Sequence, residues 1–377
     1  MLKSVVLASV AVASLTAFAT GASAQATGAP VLGSGTTANE AFVLQRGDRN
    51  SATVDQTQGT NLKAGSLNNP LDLTAPNLNA VNANYGFNDA NTVVQSGFNN
   101  DLAIIQGGIN NQIITTNGNV NRSDFSLDSS KGSFSSGTGN KAYVTQKGSD
   151  GRAQFQQNGD YNTATITADT GSNNTYAGIF QRGTSNTSQI NQYGSSSYVT
   201  ATVTSRGDRN QGYIEQAGIR SSADITQDGN ENYSRIRQYE GSADAQAFVK
   251  QNGSGNQGHI EQRGAMIFAS INQDGAGNYS LINQGAAARN AYAAIQQNGN
   301  ANQGTINQFG TTNYAALLQI GDGNMTTITQ DGNQGVGAYG YQNGNSNGGS
   351  VTQGGGYYAN AGFAQIGSNN SMTIRQK

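Results

Sequence analysis

One histidine, His259, no cysteine and a scatter of carboxylates are what this 377-residue chain offers to acid–base or metal chemistry. His259 stands beside Ile260 at an outward position, and a lone imidazole with no acid or nucleophile next to it reads as a surface residue. A Ser, His, acid triad is not expected. Glycoside hydrolysis needs two carboxylates about 5 to 9 Å apart. Asp228, Asp274, Asp322 and Asp331 are instead read as recurring in turns, where Asp bonds nearby backbone. A phosphate-cradling loop lacks its GK[ST], and the GGxGxD unit of calcium-binding repeats is missing. Arg46-Gly47-Asp48 and Arg206-Gly207-Asp208 spell RGD, but a recurring xGx turn generates that triplet without any receptor. The expectation is no enzyme, no catalytic residue, no cofactor, no metal and no small-molecule substrate. What remains with chemistry to perform is the amide of Asn and Gln, each both a donor and an acceptor.

Those amides recur at fixed spacing: Gln, any, Gly, two of any kind, Asn, any, small, any, aliphatic, any, Gln. Complete copies place Gln181, Gly183, Asn186 and Gln192 in one unit, and Gln227, Gly229, Asn232 and Gln238 in another. The pattern continues through Gln251, Gly253, Asn256 and Gln262, then Gln273, Gly275, Asn278 and Gln284. Gln297, Gly299, Asn302 and Gln308 follow, then Gln319, Gly321, Asn324 and Gln330, and finally Gln365, Gly367, Asn370 and Gln376. Copies start at 135, 157, 181, 205, 227, 251, 273, 297, 319, 342 and 365, so eleven regular repeats lie 22 to 24 residues apart. Ser205, Gln251 and Gln297 mark a 46-residue super-repeat. A fixed period of this length is the signature of a solenoid.

Elements follow from the alternation inside each copy. Asn232, Ser234, Ile236 and Gln238 alternate with Tyr233, Arg235 and Arg237, and period two means strand. Each closing Gln tends to start another xG turn, so one repeat reads as strand, turn, strand, turn. The fold expected is all-β, a β-solenoid of stacked, cross-β coils with amyloid-like character. Its interior would be thin and half polar, tolerable when amides bond their counterparts in coils stacked at about 4.8 Å or satisfy turn backbone. The glycines two residues after Gln supply tight corners. Pro30, Pro70 and Pro76 all fall outside the regular copies, as expected where a ladder cannot lose a donor. Tyr198, Tyr233, Tyr279 and Tyr314 are read as lining one outer face.

The first 24 residues have the charged start, apolar run and small-residue end of a secretory signal peptide, with cleavage after Ala24. Residues 25–40 are low-complexity, and 41–134 hold degenerate copies with an insertion loop over about 62–82 and a poor stretch at 116–131. Residues 135–377 are regular. With 20 basic against 22 acidic residues, no electrostatic footprint for nucleic acid or an anionic membrane is expected. The last copy runs to Gln376 without an evident cap, and an open coil edge invites further pairing.

The QxGxxNxAxxxQ units at Gln45–Gln56 and Gln297–Gln308 resemble the repeats of curlins, the subunits of bacterial curli fibres. The resemblance implies export through an outer-membrane secretion pore, polymerisation outside the cell on a nucleator subunit, and a pilus-like surface fibre serving biofilm matrix, adhesion and cell aggregation. Substituted ladder positions, read as Ser135, Asp169 and Ser205, leave open a nucleator subunit or a non-polymerising solenoid adhesin.

Overall fold

The computed structural model describes residues 15–18, 40–41, 43–46, 48–60, 62–64, 93–114, 132–331, 335–355 and 359–376. Every regular element among them is a strand, and the architecture is a β-solenoid of parallel strands. The expected leader's cleavage point, Ala24, and the prolines lie outside the described residues. The chain forms two compact units, Met1–Thr187 and Ser188–Lys377.

Within the second unit each repeat makes one coil with two strands. One sheet contains Thr200–Arg206, Ser222–Asn230, Gln246–Ser254, Phe268–Ala276, Tyr292–Asn298, Tyr314–Ile320, Gly337–Asn343 and Asn360–Ile366. The opposite sheet contains Gln211–Gln216, Tyr233–Gln238, Gln257–Gln262, Tyr279–Gln284, Gln303–Gln308, Met325–Gln330, Gly348–Gln353 and Ser371–Gln376. Each strand pairs in parallel with the strand one repeat later, like position on like position, as in Ile236↔Ile260 and Ile260↔Ile282. The 22- to 24-residue period is therefore one turn of backbone. Period two then sorts the side chains: in Tyr233–Gln238, residues 234, 236 and 238 are buried while 233, 235 and 237 are half-buried.

The core between the sheets is narrow. Ile236, Ile260, Ile282, Ile306 and Ile328 from one sheet meet Ala223, Ile225, Ala247, Val249, Ala269 and Ile271 from the other, all at most 2 % exposed. The small position preceding each isoleucine shows what the super-repeat does. At Gly212, Gly258 and Gly304 an added Cβ would press on Val203, Val249 and Leu317 respectively. At Ser234, Ser280 and Thr326 in the alternate coils, a hydroxyl instead donates to Gln251, Gln297 and Gln342 at 2.6, 2.8 and 2.8 Å. Two repeats thus make one packing period.

The first unit follows the same plan with interruptions. Ser51–Thr60, Asp101–Ile109, Lys141–Gln146 and Thr163–Ala168 stack in parallel, and Leu15–Phe18 lies antiparallel against Ser51–Val54. In the facing sheet Arg152–Asn158 pairs along its first part with Gln112–Ile113 and along its last part with Phe134–Thr138. One coil earlier the same rung is divided between Lys63–Ala64 and Val93–Phe98. The rung is thus divided at the same place on successive coils. Of 62–82, Leu62 is fully buried and Lys63–Ala64 is paired, while the remainder lies outside the described residues.

Corner glycines are constrained from two sides. Gly253 has φ +112°, and a Cβ there would run into the carbonyl oxygen of Gly275 in the next coil. Gly255, two residues on, also has positive φ but faces open space. Gly253→Ala should therefore cost about 2 to 3 kcal/mol from backbone strain plus displaced stacking, against about 1 kcal/mol for Gly255→Ala. Urea unfolding midpoints of the two variants check this; equal midpoints would remove the close-approach argument.

Candidate functional site

The residues that sequence spacing singles out come together as columns running through the coils. In the second unit, Gln227 Nε2 donates to Gln251 Oε1 at 3.1 Å, Gln251 to Gln273 at 2.8 Å, and Gln273 to Gln297 at 3.0 Å. The chain of bonds continues through Gln319, Gln342 and Gln365 at 2.8 to 2.9 Å. A second column runs from Gln192 through Gln216, Gln238, Gln262, Gln284, Gln308, Gln330 and Gln353 to Gln376, at 2.9 to 3.3 Å. The glutamines from Gln227 to Gln342 in the first column are fully buried. Gln181, in the first unit, accepts from Gln157 at 3.1 Å.

Asparagine works differently. The backbone N–H of Asn256 donates to Asn232 Oδ1 at 3.0 Å, and Asn232 Nδ2 donates to the Gly253 carbonyl at 2.8 Å. Asn278, Asn302, Asn324 and Asn370 repeat the first bond, each donating to the Asn one coil before at 3.0 Å. Asn186 does the same towards Asn162 within the first unit. Asn is thus a corner clamp: its oxygen holds the next corner's amide and its nitrogen holds the carbonyl of the next coil's glycine. The corner glycines Gly183, Gly229, Gly253, Gly275, Gly299, Gly321 and Gly367 all have φ between +102° and +124°. Asn162 to Asn347 supply side-chain donors to six of these carbonyls, Gly183, Gly253, Gly275, Gly299, Gly321 and Gly367, at 2.7 to 2.8 Å, and Asn210 to that of Gly229 at 2.6 Å.

Two corner positions escape sequence reading. Two residues after each of these glycines the chain again has positive φ, at Ser185, Glu231, Gly255, Gly277, Ala301, Gly323 and Asn369, as it does at Arg209 after Gly207. Side chains as different as Arg, Glu and Ala occupy it, so composition gives no sign of it. Directly after the glycine runs a third, exposed column: Asn300 N–H donates to Asp322 Oδ1 at 2.7 Å, and Asp322 N–H to Asn345 Oδ1 at 2.9 Å. The recurrence of Asp, Asn, Ser or Thr at this place was the available signal.

Substituted rungs differ in how well they fit. Ser205 Oγ donates to Gln227 Oε1 at 3.2 Å and keeps the column closed. Ser135 is too short: its hydroxyl and the facing Gln157 Oε1 are both buried without a hydrogen bond. At the third position the ladder residue is Ala168, buried and paired with Gln146, and not Asp169, which lies in the turn after the strand. Asp228 and Asp274 also sit in strands rather than turns, whereas Asp322 is at a corner.

Outward faces carry the remaining chemistry. Arg206, Arg209 and Arg220 of one coil pair with Asp228, Glu231 and Asp244 of the next at 2.6 to 3.0 Å, and Glu215 lies between Arg235 and Arg237. The second RGD is therefore locked, with Arg206 in an ion pair and Asp208 N–H bonded to Asn230. Gly47 of the first lies outside the described residues. Among the described residues no cluster of His, Cys, Asp or Glu is suited to hold a metal. The tyrosines do not share one face: Tyr233 and Tyr279 are in one sheet, Tyr314 in the other, and Tyr198 is in a turn with φ 55°. His259 is packed between the rings of Tyr233 and Tyr279 at 5.3 and 5.7 Å. This burial lowers its pKa below the ordinary 6.5, with Glu261 opposing the shift.

A family model described as the curlin associated repeat matches residues 36–65 and 299–332. Comparison with curated proteins finds no match.

Two outcomes follow from this geometry. Gln273→Ala strips partners from Gln251 Nε2 and Gln297 Oε1 inside a dry core and should cost about 2 to 4 kcal/mol, against under about 0.5 kcal/mol for the outward Thr305→Ala, as read from urea denaturation. The unfolded chain protonates His259 first, so stability should fall as pH drops from 6.5 toward the lowered folded value, then level off. His259→Phe should flatten that segment of the stability profile; an unchanged slope would rule out the histidine as its source.

Proposed function

Because the chain carries curlin repeats, we propose that it is a secreted structural subunit which self-assembles into extracellular, curli-like fibres. The observation that carries the reading is the direction of the buried hydrogen bonds. Gln251 makes four side-chain bonds, with Gln227, Ser234, the Tyr233 carbonyl and Gln273, and every partner belongs to a neighbouring coil. A coil edge of this kind is completed by another coil of the same pattern, whichever chain supplies it. In-register Gln and Asn columns at strand spacing are the elements from which cross-β stacks gain stability. A role in biofilm matrix, adhesion and cell aggregation follows from that assembly, with a nucleator subunit and an outer-membrane secretion pore as partners and the leader ending at Ala24.

The purified chain from Gln25 onward, incubated at neutral pH, should form fibres with reflections at about 4.8 Å along the axis and about 10 Å across it. A chain that stays monomeric at high concentration with a stable folded signal ends this reading. Changing Gln365 and Gln376 to Ala should slow seeded elongation several-fold, while the outward pair Thr305→Ala and Thr327→Ala should leave it near the wild-type rate.

A further inference from the structure

The outward face of the sheet containing Phe268–Ala276 has an order that stacking alone does not require. On three successive strands two neighbouring outward positions pair a ring with a small side chain: Phe268 with Ser270, Tyr292 with Ala294, and Tyr314 with Ala316. Like positions are in register from coil to coil, so the rings form a ridge and the small residues a furrow beside it. The ridge is well ordered, with ring centroids 4.8 and 4.7 Å apart and planes within 6° of parallel. In the next coil Gly337 stands at the ridge position and Tyr339 at the furrow position, and the Tyr339 ring leans over Gly337 to lie 5.4 Å from the Tyr314 ring. Each of these four coils has one ring and one small residue. None of these positions carries a charge, in contrast to the opposite sheet with Glu215, Arg235 and Arg237.

A ridge next to an equal furrow is self-complementary under one symmetry only. A two-fold axis along the stacking direction, running between the two columns, lays each column of one copy over the other column of its partner on the same rung. Phe268 then meets Ser270, Tyr292 meets Ala294, and Tyr314 meets Ala316. An in-face axis perpendicular to the stack sets ring against ring. We infer that this face is a lateral docking surface for a second copy of the chain, lying parallel and in register, through interdigitation of the Phe268, Tyr292 and Tyr314 ridge with the Ser270, Ala294 and Ala316 furrow. The contact is isologous, and its rings interleave as in a dry zipper between sheets about 10 Å apart.

Four rungs at about 4.8 Å give a strip roughly 20 Å long. That is well below the area of about 800 Å² per partner found in stable pairs. The contact therefore becomes strong when many copies stacked in fibres present it repeatedly, and in that sense it rests on the fibre reading above.

The test compares three chains by electron microscopy of fibres matched for polymerised mass. Wild type should give filaments associated in pairs. Filling the furrow with Ala294→Tyr and Ala316→Tyr should leave polymerised mass unchanged but reduce the paired fraction at least five-fold. Exchanging the columns, with Tyr292→Ala, Ala294→Tyr, Tyr314→Ala and Ala316→Tyr, keeps one large and one small residue on each rung and should restore pairing. Single wild-type filaments, or pairing undiminished by the filled furrow, overturns the inference. If wild type forms no fibres at all, the fibre reading fails separately. The contact is then judged on the soluble chain by sedimentation at millimolar concentration, where a weak dimer abolished by the filled furrow supports it and a monomer throughout overturns it.

Discussion

A buried amide must bond on every side, and in this protein it completes its set of bonds only with the help of coils above and below its own. Leaving such a donor or acceptor unpaired costs about 1 to 3 kcal/mol, and every regular coil except the last buries at least one Asn and one Gln. An isolated coil would carry these penalties with only a thin strip of isoleucine, valine and alanine to offset them. Stacking removes the penalties all at once. Stability is therefore a property of coil neighbours rather than of any one coil, as in other quasi-one-dimensional folds.

Much else follows from keeping those columns aligned. Coils must be equal in path, so the corner glycine accepts a second carbonyl pressed against it and tolerates no side chain, while the positive-φ residue two places later tolerates many. A rung can be divided without losing register, and in the first unit two successive rungs are divided at the same place. Ser135 shows the opposite case, since a side chain too short for its rung leaves two buried groups unbonded. The outer faces are free of this constraint. They differ accordingly: one bears Glu215 between Arg235 and Arg237 and a Tyr–His–Tyr row, the other, over Phe268 to Ala316, an uncharged ridge and furrow.

The columns themselves were legible without coordinates, because a two-residue alternation and a repeated Gln, Gly, Asn spacing place like side chains on like rungs. Ile236, Ser234 and Gln238 are buried as that alternation requires. What each amide bonds was less legible: glutamine meets glutamine, but asparagine clamps a corner amide and a glycine carbonyl. The misplacement of Asp169 for Ala168 has a simple origin, since one residue of phase moves a side chain from inside to outside.

Sequence alone thus determined the solenoid class, the repeat length, the inward amides and the corner glycines, because these are set by side-chain type and local periodicity. Only the tertiary structure decided which sheet each tyrosine joins, that His259 is sandwiched between rings, and that Phe268, Tyr292 and Tyr314 form one ridge. Those outcomes depend on the phase between the two strands of a coil and on the register between coils. Both are fixed by corner geometry and interior packing, which no short window of residues contains.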